Sequence, residues 1–202
     1  MHVHRQPIPA WQLAGQLTVE VTSVARSCID LTRECGLAAG VVSADAAIHV
    51  GLCTTADLEA VYATCRGRAG LSSGRQLLEL VDGRSESPLE SVSRLAMRSL
   101  QPAPRIQVPL YTSAGEFLAR VDFYWDGLGL VGEADGRLKY TDQELWREKR
   151  RQERLAEHGL VFERWGWAEA MKPATLRTRL EAALRRAAQL RGAGIPVTAV
   201  SL

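Results

Sequence analysis

Residues 116–140 read EFLARVDFYWDGLGLVGEADGRLKY, and the periodicity of this stretch decides the fold. Val121, Phe123 and Trp125 alternate with Arg120, Asp122 and Tyr124, the period of a strand with one apolar face. Past a short turn at Asp126-Gly127, Leu128 and Leu130 alternate with Val131, Glu133 and Asp135 as a second strand. Glu133 and Asp135 are two apart, so they share a face. If the strands pair as a hairpin, Asp122 lies close to Glu133. Carboxylates converging at the end of a sheet repel one another, and a divalent cation is the usual resolution.

Working outward, the same period continues upstream in a strand over 105–111, with Ile106, Val108 and Leu110 on one face and Gln107 on the other. Before it, Ser87 is a good N-cap and Pro88 suits a first helical turn. Leu89, Val92, Ala96 and Leu100 then make an apolar stripe, and Glu90 and Arg94 stand four apart on another face, where they can simply pair. Downstream, Thr141 with Glu144 makes a capping box for a helix dominated by charge, closed at Gly159. A strand over 160–165 follows, and Pro173 opens a long helix whose core face is Leu176, Leu180, Ala183, Leu184, Ala187 and Leu190. The expected order from Ser87 is helix, three strands, helix, strand, with residues 192–202 left unassigned.

The first part of the chain reads as helical. Thr22 or Ser23 caps a helix carrying Val24, Cys28, Leu31 and Cys35, stopped near Gly36. Further helices are expected from about Ala38 to His49, after Thr54 with Leu58, Val61, Tyr62 and Cys65 on one stripe, and over 73–81. One strand is expected at Leu17–Val21. The polar turn DGRSE (82–86) marks the boundary, giving a helical region over 1–84 and a second domain over 85–202 with its C-terminal helix from about 173.

Composition excludes several classes. Apolar residues make up 46% of the chain, enough for a core, and no run approaches the roughly 20 residues of a membrane span. The start, MHVHRQPIPAW, lacks the apolar core of a signal peptide, so a cytoplasmic protein with no membrane contact is expected. The cysteines (Cys28, Cys35, Cys53, Cys65) show no C-x-x-C and no histidine at ligand spacing, against a zinc site or disulfide framework. Cys28, Cys35 and Cys65 fall at apolar helical positions, where small buried thiols are common. Net charge is +2 but uneven: residues 1–136 hold 11 Lys/Arg against 15 Asp/Glu, residues 137–202 hold 14 against 8. An anionic partner for the C-terminal third fits that asymmetry, as does a set of solvated helix faces.

The run S-P-L-E-S, then V-D-F, E-A-D-G-R-L-K-Y, E-K-R-R-Q-E-R-L and H-G-L-V-F-E-R-W resembles the PD-(D/E)XK nuclease-like superfamily. The branch it is most similar to is that of very-short-patch-repair endonuclease-like domains, as found at the C-terminus of AbiEi-type antitoxin proteins. V-T-S-V-A-R-S-C-I-D-L-T-R and S-A-D-A-A-I also look like that group's middle region, so the resemblance covers about residues 20–170. It implies an α+β chain: a helical N-terminal region, then a restriction-endonuclease-like αβββαβ core and a C-terminal helix.

Carried over by motif, the resemblance makes Glu90, Asp122 and Glu133 the ligands of Mg²⁺ or Mn²⁺, a cation that in active members polarises the scissile phosphate and activates water. The family lysine two residues beyond the last acid is here Asp135, a possible ligand or base. A histidine of the related branch is here Lys139, whose ammonium can orient water or stabilise charge on phosphorus. Arg151, matching an arginine of the family's second helix, and Gln107 are candidates for a backbone phosphate, with Arg147 and Arg150 beside them. Arg151 could equally pair with Glu148 or Asp135. Trp165 and Trp167 could stack on a base, but packing of the last helix on the sheet is the expected role. AbiEi-type proteins usually begin with a winged helix–turn–helix; residues 1–21 have no room for one, and the expectation is a fragment or a natural short form.

Two classes of function follow. One is a metal-dependent endonuclease hydrolysing DNA phosphodiesters. The other is a catalytically silent nuclease fold that binds nucleic acid, or a protein partner through its helical region, in an antitoxin or phage-defence system.

Overall fold

The computed structural model describes residues 7–16, 19–65, 71–136 and 142–201 of the 202-residue chain. The chain is α+β and divides into two compact units, Met1–Pro88 and Leu89–Leu202.

In the first unit, β1 (Leu13–Gln16) and β2 (Val19–Thr22) pair antiparallel, where the sequence predicts one strand at 17–21. The extra strand carries Ala14, Gly15 and Gln16, which give no β-branched or aromatic signal. Residues 17 and 18 lie outside the described residues. Four helices follow: α1 (Val24–Cys35), α2 (Leu37–His49), α3 (Thr55–Thr64) and α4 (Leu71–Leu80). Ser23 caps α1, accepting from the Arg26 N–H at 3.2 Å, and Thr54 with Asp57 forms a capping box on α3.

The buried stripe of α1 is Ala25, Cys28, Ile29 and Thr32, which corrects the expected one. Val24, Leu31 and Cys35 are exposed. The buried face mixes small residues with Ile29 and the polar Arg26 and Thr32, while Val24 and Leu31 lie outside it, so ranking by hydropathy picks a different stripe. Small residues are used because α2 approaches closely: a Cβ on Gly40 would fall inside the Thr32 side chain.

The second unit opens with α5 (Pro88–Met97), followed by β3 (Arg105–Tyr111), β4 (Phe117–Trp125) and β5 (Leu130–Ala134). Then come α6 (Asp142–Glu157), β6 (Val161–Trp165), the short α7 (Trp167–Ala170), α8 (Pro173–Gly192) and β7 (Val200–Ser201). Thr141, the predicted cap of α6, lies outside the described residues. The three predicted strands share one sheet. That sheet has five strands in the order β6-β5-β4-β3-β7, β7 coming from the tail left unassigned. The β5–β6 pair is parallel and the others antiparallel, so the sheet is mixed.

Both faces of this sheet are covered, which corrects the single apolar face read from β4. One core joins Phe123, Trp125 and Trp165 to Leu89 and Met97 of α5 and to Leu176, Leu180 and Ala183 of α8. A second joins Val108, Leu110, Val121, Tyr124 and Val131 to Leu155 of α6. The tyrosine in β4 looked polar and α6 looked all charge, so the second layer was invisible to alternation. No helix among the described residues is long and apolar enough to cross a membrane.

Candidate functional site

Three carboxylates converge in the second unit because its register brings them together. Phe123 pairs with Gly132, which sets Asp122 of β4 beside Glu133 of β5. The Asp122 Oδ2 accepts the Ala134 N–H at 2.9 Å, fixing that side chain across the pair. Glu90, in the first turn of α5, is buried at 7% exposure.

Gln107 joins them. In β3, Ile106 pairs with Phe123 and Val108 with Val121, and Gln107 between them has φ +51. Among the described residues it alone combines a side chain with positive φ, a conformation costing about 1–3 kcal/mol. Its Nε2 donates to Glu90 Oε2 at 2.8 Å and reaches Asp122 Oδ1 at 3.5 Å. A neutral amide thus stands between two acids, at the point where the strand is strained.

Glu133 is held differently. Its Oε1 accepts from Arg151 Nη2 of α6 at 2.5 Å, and its Oε2 accepts from Arg164 Nε at 2.8 Å and Nη2 at 2.5 Å. The Arg164 clamp follows from the parallel register, which places Glu133 directly opposite Arg164. Both guanidiniums are about 30% exposed while the carboxylate is 12% exposed, so the charges face each other across a partly dried contact.

These neighbours shift Asp122. Burial pushes its carboxyl up to about 6 from an ordinary 3.8; the Ala134 N–H opposes, the Glu90 and Glu133 charges add, and Arg151 opposes. A raised acid pKa means the folded state binds this proton more tightly than the unfolded chain. Stability from this group is greatest below about pH 4 and is lost as pH rises to about 6. The loss is about 2–3 kcal/mol, at roughly 1.4 kcal/mol per unit. Asp122→Asn is therefore expected to raise stability at pH 7.5 and to flatten its decline between pH 4.5 and 7.5, read from urea midpoints. An equal decline in both proteins would assign the titration elsewhere.

The structure thus brings Glu90, Gln107, Asp122, Glu133 and Arg151 together. Asp135 lies past the end of β5, where its N–H donates to the Trp165 carbonyl at 2.9 Å, and it lines a cavity next to the cluster. Arg150 is exposed on α6, its guanidinium 3.7 Å above the Trp146 ring. Arg147 belongs to α6, but its side chain lies outside the described residues, as does Lys139 entirely. Arg151 pairs with Glu133, a partner that the sequence reading did not weigh. Arg164 was missed: its role depends on a parallel pairing that no local pattern reveals. Trp165 packs in the core, as expected, whereas Trp167 is 45% exposed and does not.

A divalent cation, as the resemblance implies, does not fit this arrangement. Both Glu133 oxygens are taken by guanidiniums, and the Gln107 amide stands between the other two acids. Among the described residues no three or more His, Cys, Asp or Glu are grouped so as to hold a metal ion.

Two uncharacterized proteins of Mycobacterium tuberculosis, from two strains, are each 33% identical to the chain over 150 residues. The match covers 73% of this chain and 54% of each relative, so the chain spans about half the length of the curated relatives it matches. No family model and no solved structure matches it.

Proposed function

We propose that the chain acts on DNA through its second unit, a nuclease-like module with a restriction-endonuclease-like core that holds the phosphate backbone without a resident metal. The observation that carries this reading is the closed Arg151–Glu133–Arg164 contact, which satisfies the central acid with two cations. The placement of acids on α5, β4 and β5 supports the nuclease-like part, being the order that the sequence resemblance implies. The net positive charge of residues 137–202 supports an anionic ligand. A role in an AbiEi-type antitoxin or phage-defence protein belongs to the same proposal, with the helical first unit meeting a protein partner.

A second reading, a Mg²⁺- or Mn²⁺-dependent endonuclease, is favoured by one observation. Burial first, and the Glu90 and Glu133 charges after it, raise the Asp122 carboxyl, and the carboxylate repulsion is a tension that a cation would relieve. Incubating the protein with plasmid and linear DNA and either metal separates the two. The first reading expects retarded but intact DNA. Cleavage that Asp122→Asn abolishes would establish the second.

A further inference from the structure

We propose that a cavity in the first unit binds a small carboxylic acid with an apolar tail, its carboxylate held by Arg26 near the start of α1 and its tail laid on Ile8 and Leu31. The site is independent of the DNA-acting reading of the second unit.

The cavity holds about 480 Å³, in the range of small-ligand sites. Thr22, Arg26 and Ser27 line it around the start of α1, and Ile8 and Leu31 give it apolar walls. Leu31 is 38% exposed, an apolar side chain that its own unit leaves uncovered and that a ligand's tail would cover.

Arg26 is the unusual wall. The residue is 3% exposed, and a guanidinium taken that far out of water needs acceptors for its N–H groups. Its Nε donates to Asp30 Oδ2 at 2.7 Å and its Nη1 to Gln12 Oε1 at 2.9 Å. Gln12 is itself fully buried and is fixed in turn, donating from Nε2 to Thr64 Oγ1 at 2.8 Å. These bonds hold the plane of the guanidinium. Among the described residues they leave Nη2 with no bonding partner, yet solvent reaches it. The cavity is thus lined by a fixed cationic donor with hydrogens to spare.

A second donor stands beside it. The Thr22 and Ser27 hydroxyls are 2.7 Å apart, and whichever donates to the other, the acceptor's own O–H remains to give. Donors at one end of an apolar cavity match a group that only accepts. A carboxylate does so with both oxygens, makes charge-assisted bonds to a guanidinium, and suits the positive pole of a helix. The remaining charged residues of the lining are engaged or distant. Asp30 also accepts from Arg33 Nη1 at 3.2 Å. Glu34 has an interaction of its own and stands about 12 Å along the helix from Arg26, towards the tail.

The test is isothermal titration calorimetry of the full chain with octanoate, hexanoate and octanamide. Octanoate is expected to bind saturably at one site, more tightly than hexanoate by about fourfold for each methylene buried. Octanamide keeps the tail and drops the charge, and is expected to bind about 5- to 10-fold more weakly. Arg26→Gln is expected to weaken octanoate binding about 10- to 150-fold, the range of a lost hydrogen bond to a charged group. Leu31→Asp, at an exposed position, sets a charge against the tail and should abolish binding with the fold intact. It keeps the test decisive where Arg26→Gln does not fold, which far-UV circular dichroism of both variants checks. Octanoate binding that is absent at millimolar concentration, equalled by octanamide, or untouched by Leu31→Asp or by folded Arg26→Gln overturns the inference.

Discussion

Trp165→Ala is expected to lower the stability of the second unit by about 3–5 kcal/mol, the cost of truncating a fully buried tryptophan. The ring is the keystone between β6, β5 and α5. Its Nε1 donates to Ser93 Oγ at 2.7 Å, and its centroid lies 5.5 Å from that of Phe123. Its outer edge rests on Gly132, where a Cβ would come within 2.6 Å of the ring. Truncation would therefore open a cavity beneath the strand that carries Glu133 and orphan a serine hydroxyl. Against a typical total stability of about 5–15 kcal/mol, that loss is a large part of the margin. Trp167→Ala provides the control, with a change within about 0.5 kcal/mol expected at an exposed position. Urea midpoints followed by far-UV circular dichroism measure both. Equal shifts in the two variants would contradict the packing described.

Glu133→Gln is expected to tighten duplex binding roughly tenfold at about 0.1 M salt, and to steepen the salt dependence by about 0.9. The reason is the arithmetic of the contact. Arg151 and Arg164 both pair with Glu133, so the trio carries one net positive charge; the amide raises that charge to two for an approaching phosphate. The same change should cost about 1–3 kcal/mol of stability, because charge-assisted hydrogen bonds become neutral ones. A metal-dependent enzyme would respond otherwise, losing cleavage with no gain in metal-free affinity. Anisotropy in chelator, with urea midpoints as the stability check, distinguishes these responses. Unchanged or weaker duplex binding would remove Glu133 from its assigned role of restraining the two arginines.

Much of the second unit was legible because its strands carry their period openly. Arg105–Tyr111 is a strand with the predicted limits, although Ile106 packs in one core and Val108 and Leu110 in the other. Pro173 opens α8 with the expected core face, save Leu190, which is half-buried. The hairpin period also placed Asp122 against Glu133, since cross-strand register follows from a short turn. What stayed hidden was non-local. The strand at Val200 adds to β3 only once the tail has folded back, and the sequence there carries no alternation to announce it. Arg164 finds Glu133 through a parallel pairing made after an intervening helix. Gln107 could be placed on the polar face of its strand, but not its positive φ, because glutamine gives no hint of a left-handed backbone. In the first unit, α1 turns Ala25, Cys28, Ile29 and Thr32 inward, and the close approach of Gly40 to Thr32 is not legible from hydropathy.

The measurement that bears most directly on a DNA-holding second unit is duplex affinity as a function of salt, for the parent protein and for Arg150→Ala with Arg151→Ala. These arginines lie on α6, one over the Trp146 ring and one on Glu133. Backbone binding releases counterions, so the logarithm of affinity should fall with the logarithm of salt by about 0.9 per phosphate contacted. The double variant should bind unrelated sequences more weakly by the same factor and flatten that slope by about one to two. Binding absent at about 50 mM salt, or a slope untouched by the double substitution, would contradict the account and assign this helix to packing or to a protein partner.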